Sequence, residues 1–120
     1  MNREPPEHNP SDELKWISDS LGLFDSDRDK ERSCYRIFVT LVKEKKPLKS
    51  DDIALNSRLS RGTVVFHLNK LMDSGLVVNE DNKYKLKEKN ISSIIKKMRK
   101  EMDEHFRIME EIAKDFDARV

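Results

Sequence analysis

A chain of 120 residues, 39% charged and 36% hydrophobic, has room for one modest core and argues against a second independent domain. No run approaches the roughly 18 to 20 apolar residues of a membrane span, Met1 to Pro6 hold no apolar signal core, and Cys34 is the only cysteine, so a cytoplasmic protein without disulfides is expected. The net charge of +1 conceals an uneven distribution: residues 1–35 carry −4, residues 36–82 carry +2, residues 83–100 carry +7 with Glu88 their only acid, and residues 101–120 carry −4, which points to a local contact with a polyanion.

Residues 1–10 hold three prolines, three charges and no apolar period, the composition of a disordered tail. Ser11 is an expected N-cap, with Asp12 and Glu13 in the first turn, for a short helix on which Leu14, Ile17 and Leu21 recur until Gly22. Trp16 lies off that stripe and is expected at a partner surface. Ser26 and Asp27 offer a second cap, and Cys34, Ile37, Phe38, Leu41 and Val42 mark a helix over about residues 28–45, ended by Pro47. A short extended piece at Leu48 and Lys49 precedes a brief helix, expected to be capped by Ser50 and to carry Ile53, Ala54 and Leu55. A turn at Asn56-Ser57-Arg58 follows. Ser60 then caps a helix in which Val64, Leu68 and Leu71 share one face until Gly75. Two short helices joined by a turn fit helix-turn-helix geometry.

Leu76-Val77-Val78, a polar turn over Asn79 to Asn82, and the alternating Lys83-Tyr84-Lys85-Leu86-Lys87 predict a hairpin with Tyr84 and Leu86 on one side and lysines on the other. Ile91, Ile95, Met98, Met102, His105, Met109, Ile112 and Phe116 then alternate steps of four and three, the spacing of a coiled coil. A helix over residues 88–117 would be roughly 45 Å long, more than a domain of this size can bury, so pairing with a second copy is expected through those eight residues and Trp16.

The segment Leu59-Ser60-Arg61-Gly62-Thr63-Val64-Val65-Phe66-His67-Leu68-Asn69-Lys70-Leu71-Met72-Asp73-Ser74-Gly75-Leu76-Val77 resembles the recognition helix and first wing strand of the ArsR-like winged helix-turn-helix regulators of bacteria and archaea. The resemblance covers about residues 30–87 and implies double-stranded DNA as partner. With Val64, Leu68 and Leu71 buried, helical periodicity turns Arg61, Gly62, Val65, Phe66, Asn69 and Lys70 outward. In a major groove Arg61 would fork onto guanine, Asn69 would read adenine, and Val65 and Phe66 would meet thymine methyls, while Ser60, Thr63 and the helix N-terminus hold a phosphate. Lys83 and Lys85 would follow the adjacent backbone. His67, beside the core face, is read as structural, and Cys34 as a small core residue.

Metal-sensing members of the family carry a cysteine-x-cysteine pair before the helix-turn-helix, where this chain has Lys49-Ser50-Asp51; the family's alternative site falls in part on Phe116 and Arg119. Three scattered histidines make no zinc spacing, and the glycines at 22, 62 and 75 make no phosphate loop. No metal, no cofactor and no catalysis are expected. The reading is thus a mainly α fold with a small β-hairpin wing: a tail (1–10), a winged helix-turn-helix domain with an N-terminal helix (11–87) and a dimerising helix (88–120). The expected function is a sequence-specific homodimeric regulator, most simply a repressor, on an inverted repeat. The competing classes are a winged-helix scaffold for protein contacts and a nonspecific, chromatin-like DNA binder.

Overall fold

The computed structural model describes residues 4–22, 24 and 32–120. The elements run α1 (Pro10–Leu21), α2 (Ser33–Glu44), α3 (Ser50–Ser57), α4 (Arg61–Asp73), β1 (Val77–Glu80), β2 (Lys83–Leu86) and α5 (Ile91–Arg119). The fold is therefore mainly α with a small hairpin. It divides into two compact units, Met1–Lys85 and Leu86–Val120.

In the first unit, α2 packs against α3 and α4, α3 against α4, and α4 against β1. The core follows the sequence stripes in the main: Ile37, Phe38 and Leu41 from α2, whose expected Cys34 and Val42 are only half-buried, Ile53 from α3, and Val64, Leu68 and Leu71 from α4, closed by Leu48, Leu76 and Val77. Ile37, Ile53, Val64 and Leu68 have no exposed surface, so each contributes about 1.5–3 kcal/mol of burial. The Arg36 guanidinium on α2 donates to the Ser57 carbonyl at the end of α3, where the helix leaves its last acceptors unpaired. Phe24 lies buried with its ring 5.0 Å from Phe38 and edge-on to Tyr35 at 5.6 Å. Arg32 sits 4.9 Å above the Tyr35 ring and 3.4 Å from Asp19 of α1. Burial pushes the Tyr35 phenol up, against the opposing pull of the Arg32 charge.

Helix starts depart from the expected caps. Asn9, not Ser11, caps α1 by accepting the Asp12 N–H at 2.9 Å, because Pro10 fits the first helical position, where no N–H is needed. Ser50 is already the first residue of α3, whose cap position is held by Lys49 without a side-chain bond. Asn56 and Ser57 belong to α3, and the turn is made by Arg58 alone, left-handed at φ 57°. Of the three apolar residues expected to anchor α3, Ile53 is buried, Ala54 half-buried and Leu55 exposed. The expected cap at Ser26 and Asp27 and the first residues of the second helix, 28–31, lie outside the described residues.

The hairpin turn is tighter than its four polar residues imply. Only Asp81 and Asn82 form it, with φ 53° and 63°, the two-residue turn whose twist matches that of paired strands. Leu48 adds a third, single-residue rung: its N–H donates to the Tyr84 carbonyl at 2.9 Å and its carbonyl accepts from the Tyr84 N–H at 2.7 Å. That pair ties β2 to the segment before α3.

In the second unit, Asn90 caps α5 by accepting the Ser93 N–H at 2.8 Å, so the helix starts at Ile91 rather than 88. Its 29 residues span about 43 Å. Ile94 is buried and Ile91, Ile95 and Met98 half-buried, whereas every residue from Glu101 to Val120 is exposed. Among those are Met102, Phe106, Ile108, Met109, Ile112 and Phe116. No helix among the described residues is long and apolar enough to cross a membrane.

Candidate nucleic-acid interface

Helix α4 owes its sharp start to Ser60, which is extended (φ −68°, ψ 153°), accepts the Thr63 N–H at 3.2 Å and donates its hydroxyl to Thr63 Oγ1 at 2.8 Å. At the other end Gly75 takes the left-handed conformation (φ 81°) and its N–H reaches the Met72 carbonyl, turning the chain into β1. Between these stops the period of 3.6 separates two faces. Val64, Leu68 and Leu71 are sealed in the core, with His67 beside them at the buried edge, as expected of a structural histidine. Arg61, Gly62, Val65, Phe66, Asn69 and Lys70 all lie on the surface and Thr63 is half-buried.

The exposed face is unusual in its chemistry. Phe66 leaves 60% of its surface open, touching the edge of the His67 ring at a centroid distance of 5.2 Å, and the Lys70 ammonium stands 5.4 Å over its ring. A cation held over an aromatic face beside an exposed valine offers apolar contact and positive charge together. Arg61, its side chain 73% exposed, is in an ion pair with Asp51 of α3 at 3.1 Å, a partner that the sequence reading missed. Such an exposed pair is worth little, roughly 0.2–1 kcal/mol. The turn between α3 and α4 presents Arg58, also exposed, to which no role was assigned from sequence.

On the hairpin, Lys83 is exposed and Lys85 half-buried, its ammonium 3.1 Å from the Glu80 carboxylate. Lys85 is thus not simply an outward lysine: the acidic tip partly neutralises it. The pairings of Asp51 with Arg61 and Glu80 with Lys85 have no signal in the sequence, since each carboxylate meets its cation only through the fold.

The other expected surface is α5. Met102, His105, Met109, Ile112 and Phe116 are exposed, while Ile91, Ile95 and Met98 are partly covered. Trp16 is half-buried, with its indole Nε1 enclosed and, among the described residues, without an acceptor. Arg107 clamps its own helix by donating to Glu104 at 2.6 Å and Glu111 at 2.8 Å, which holds the Glu104 carboxyl below its ordinary range.

The model of the bacterial regulatory protein, arsR family, matches residues 39–78, a third of the chain, from within α2 through α3 and α4 to the start of β1. No curated protein and no solved structure matches the chain. The family match falls on the segment whose helix pair, exposed α4 face and following hairpin have the form of a DNA-reading unit, so residues 39–78 are similar to the helix-turn-helix of that family of DNA-binding transcription regulators.

Proposed function

We propose that the protein acts in the cytoplasm as a homodimeric, sequence-specific repressor that lays α4 in the major groove of an inverted-repeat operator. The observation that carries this reading is the outward face of α4: Arg61, Val65, Phe66, Asn69 and Lys70 stand exposed on a helix whose opposite face is locked into the core. Arg61 leaves Asp51 to bind guanine O6 and N7, and Asn69 reads adenine. Val65 and Phe66 pack on thymine methyls, while Ser60, Gly62 and Thr63 bring the helix N-terminus close to a phosphate. Lys70, Lys83 and Lys85 bind the backbone whatever the sequence. The exposed seam of α5 supports pairing of two copies, with residues 11–87 as the DNA-binding domain and 88–120 as the dimerising segment. A dimer presents two recognition helices to half-sites about 34 Å, one DNA turn, apart.

Selection of bound duplexes from a random pool tests the reading, with a two-fold repeat expected. On the selected site, Arg61→Ala costs about 1–3 kcal/mol and relaxes base preference at one position per half-site. Lys85→Ala weakens selected and scrambled duplexes alike and lowers the salt slope by about one. Equal losses for both variants on both duplexes would rule out sequence reading by α4. Failure to retain any DNA would favour the scaffold, for which the exposed Phe66 is the natural protein contact.

A further inference from the structure

We infer that the start of α5 is a second DNA-binding site, at which Lys96 and Lys100, with Lys87 and Lys97, take backbone phosphates of the duplex outside the bases read by α4. The inference rests on the DNA reading proposed above and adds a surface to which that reading assigns no part.

Positive charge is concentrated there. Residues 87–100 carry six cations against Glu88 alone, a net +5, and from Glu101 the balance turns to seven carboxylates against Arg107, Lys114 and Arg119, a net −4. A polyanion is drawn to the first stretch and repelled from the second, so the site ends at Lys100. Ion pairing follows the same division. In the acidic part, Arg107 and Arg119 are each held by carboxylates of their own helix. At the start, Lys89, Lys96, Arg99 and Lys100 are exposed and, among the described residues, meet no carboxylate. Lys97 does meet one: its ammonium lies 3.3 Å from Glu88, and the Lys87 side chain closes on the same ammonium. Two like charges gathered round one carboxylate leave a positive excess that repels itself until an anion arrives.

The face that bears these charges is the one the apolar seam leaves free. On a helix of 3.6 residues per turn, Ile91, Ile95, Met98 and Met102 share one side, while Lys96 and Lys100 stand one above the other on the opposite side, about 6 Å apart along the axis. A cover over the seam therefore leaves both lysines in solvent. Their partner is a duplex backbone rather than bases. Residues 87–100 contain no aromatic side chain on which an unpaired base could stack, and lysine binds phosphate as a point charge without reading sequence. Lys87 directly follows the last residue of β2, so the cations of the wing and those of α5 form one continuous stretch of chain.

Two duplexes with one half-site each test the site, one trimmed to the bases read by α4 and one extended by about ten base pairs, a helical turn, at each end. The parent should bind the extended duplex more tightly and with a steeper salt dependence. Lys96→Gln with Lys100→Gln should remove that advantage. Its salt slope on the extended duplex should fall by about two, so that between about 50 and 200 mM salt the parent loses about tenfold more affinity than the variant, whatever the flanking sequence. Lys114→Gln with Arg119→Gln removes the same charge from the acidic part of α5 and should leave the advantage intact, which separates a local contact from a change of net charge. All four side chains are exposed and glutamine is a good helix former, so both variants should fold as the parent does. No advantage of the extended duplex in the parent, an unchanged slope for Lys96→Gln with Lys100→Gln, or an equal loss for the control pair would each overturn the proposal. The reading by α4 would survive those results if Arg61→Ala still relaxed base preference on the same duplexes. Retention of neither duplex by the parent would remove DNA as the partner, and this site with it.

Discussion

At the scale of single residues, the telling contact is the Arg61 to Asp51 pair, because it joins the proposed base-reading cation to the neighbouring helix of the same motif. Both groups are well exposed, so the pair adds little to folding, but it sets what Arg61 gives up on meeting DNA. Asp51→Asn should therefore raise affinity for the selected duplex by at most about fivefold, the equivalent of an exposed pair of roughly 1 kcal/mol, and raise it less on random sites, where Arg61 has no guanine edge to gain. Fluorescence anisotropy on both duplexes measures this, and lower affinity for the variant would mean that Asp51 positions Arg61 rather than competes for it. Ser60 works on folding instead. Its hydroxyl satisfies the Thr63 N–H at the start of α4, so Ser60→Ala should cost about 1 kcal/mol in urea unfolding, with the denaturant slope unchanged.

At the scale of elements, α4 and the hairpin depend on each other. Leu68, without exposed surface in the middle of α4, anchors the helix from below, and Leu68→Ala should cost about 2–5 kcal/mol and loosen the DNA face with the core. The hairpin is fixed at its turn, where Asp81 and Asn82 both hold positive φ. A β-branched side chain is strained there, so Asn82→Val should cost about 1–2 kcal/mol, while Asn82→Gly should cost nothing; thermal unfolding of the two variants checks the comparison. Such local rules are why much of the fold could be read in advance. Apolar spacing locates α2, α4 and α5, because a stripe such as Val64, Leu68 and Leu71 has one way to be buried. The outward residues of α4 follow by subtraction. Caps were harder: Asn9 and Ser11 are both good capping residues, and Pro10 decides between them only once the helix axis is known. The bridge from Leu48 to Tyr84 and the pairs Arg61 with Asp51 and Lys85 with Glu80 leave no local trace. They join residues that only tertiary packing brings together, and two of them bear on the very cations assigned to DNA.

At the scale of the whole molecule, binding strength depends on how many copies engage one duplex. A single α4 with a half-neutralised wing has few charges to set against phosphate, and the net charge of +1 supplies no general attraction. In the proposed dimer, linking two such units through α5 would make the second contact intramolecular, at an effective concentration far above that of free protein. Ile112→Glu with Phe116→Glu tests that dependence cleanly, because both side chains are exposed in the single chain and their replacement leaves the core of Met1–Lys85 untouched. The double variant should sediment as a monomer and bind an isolated half-site as the parent does. On the full inverted repeat its affinity should fall by at least about a hundredfold, the lower bound for losing the second linked site. Equal affinity of parent and variant on the full repeat would mean that one subunit suffices, and that the exposed seam of α5 serves something other than operator binding.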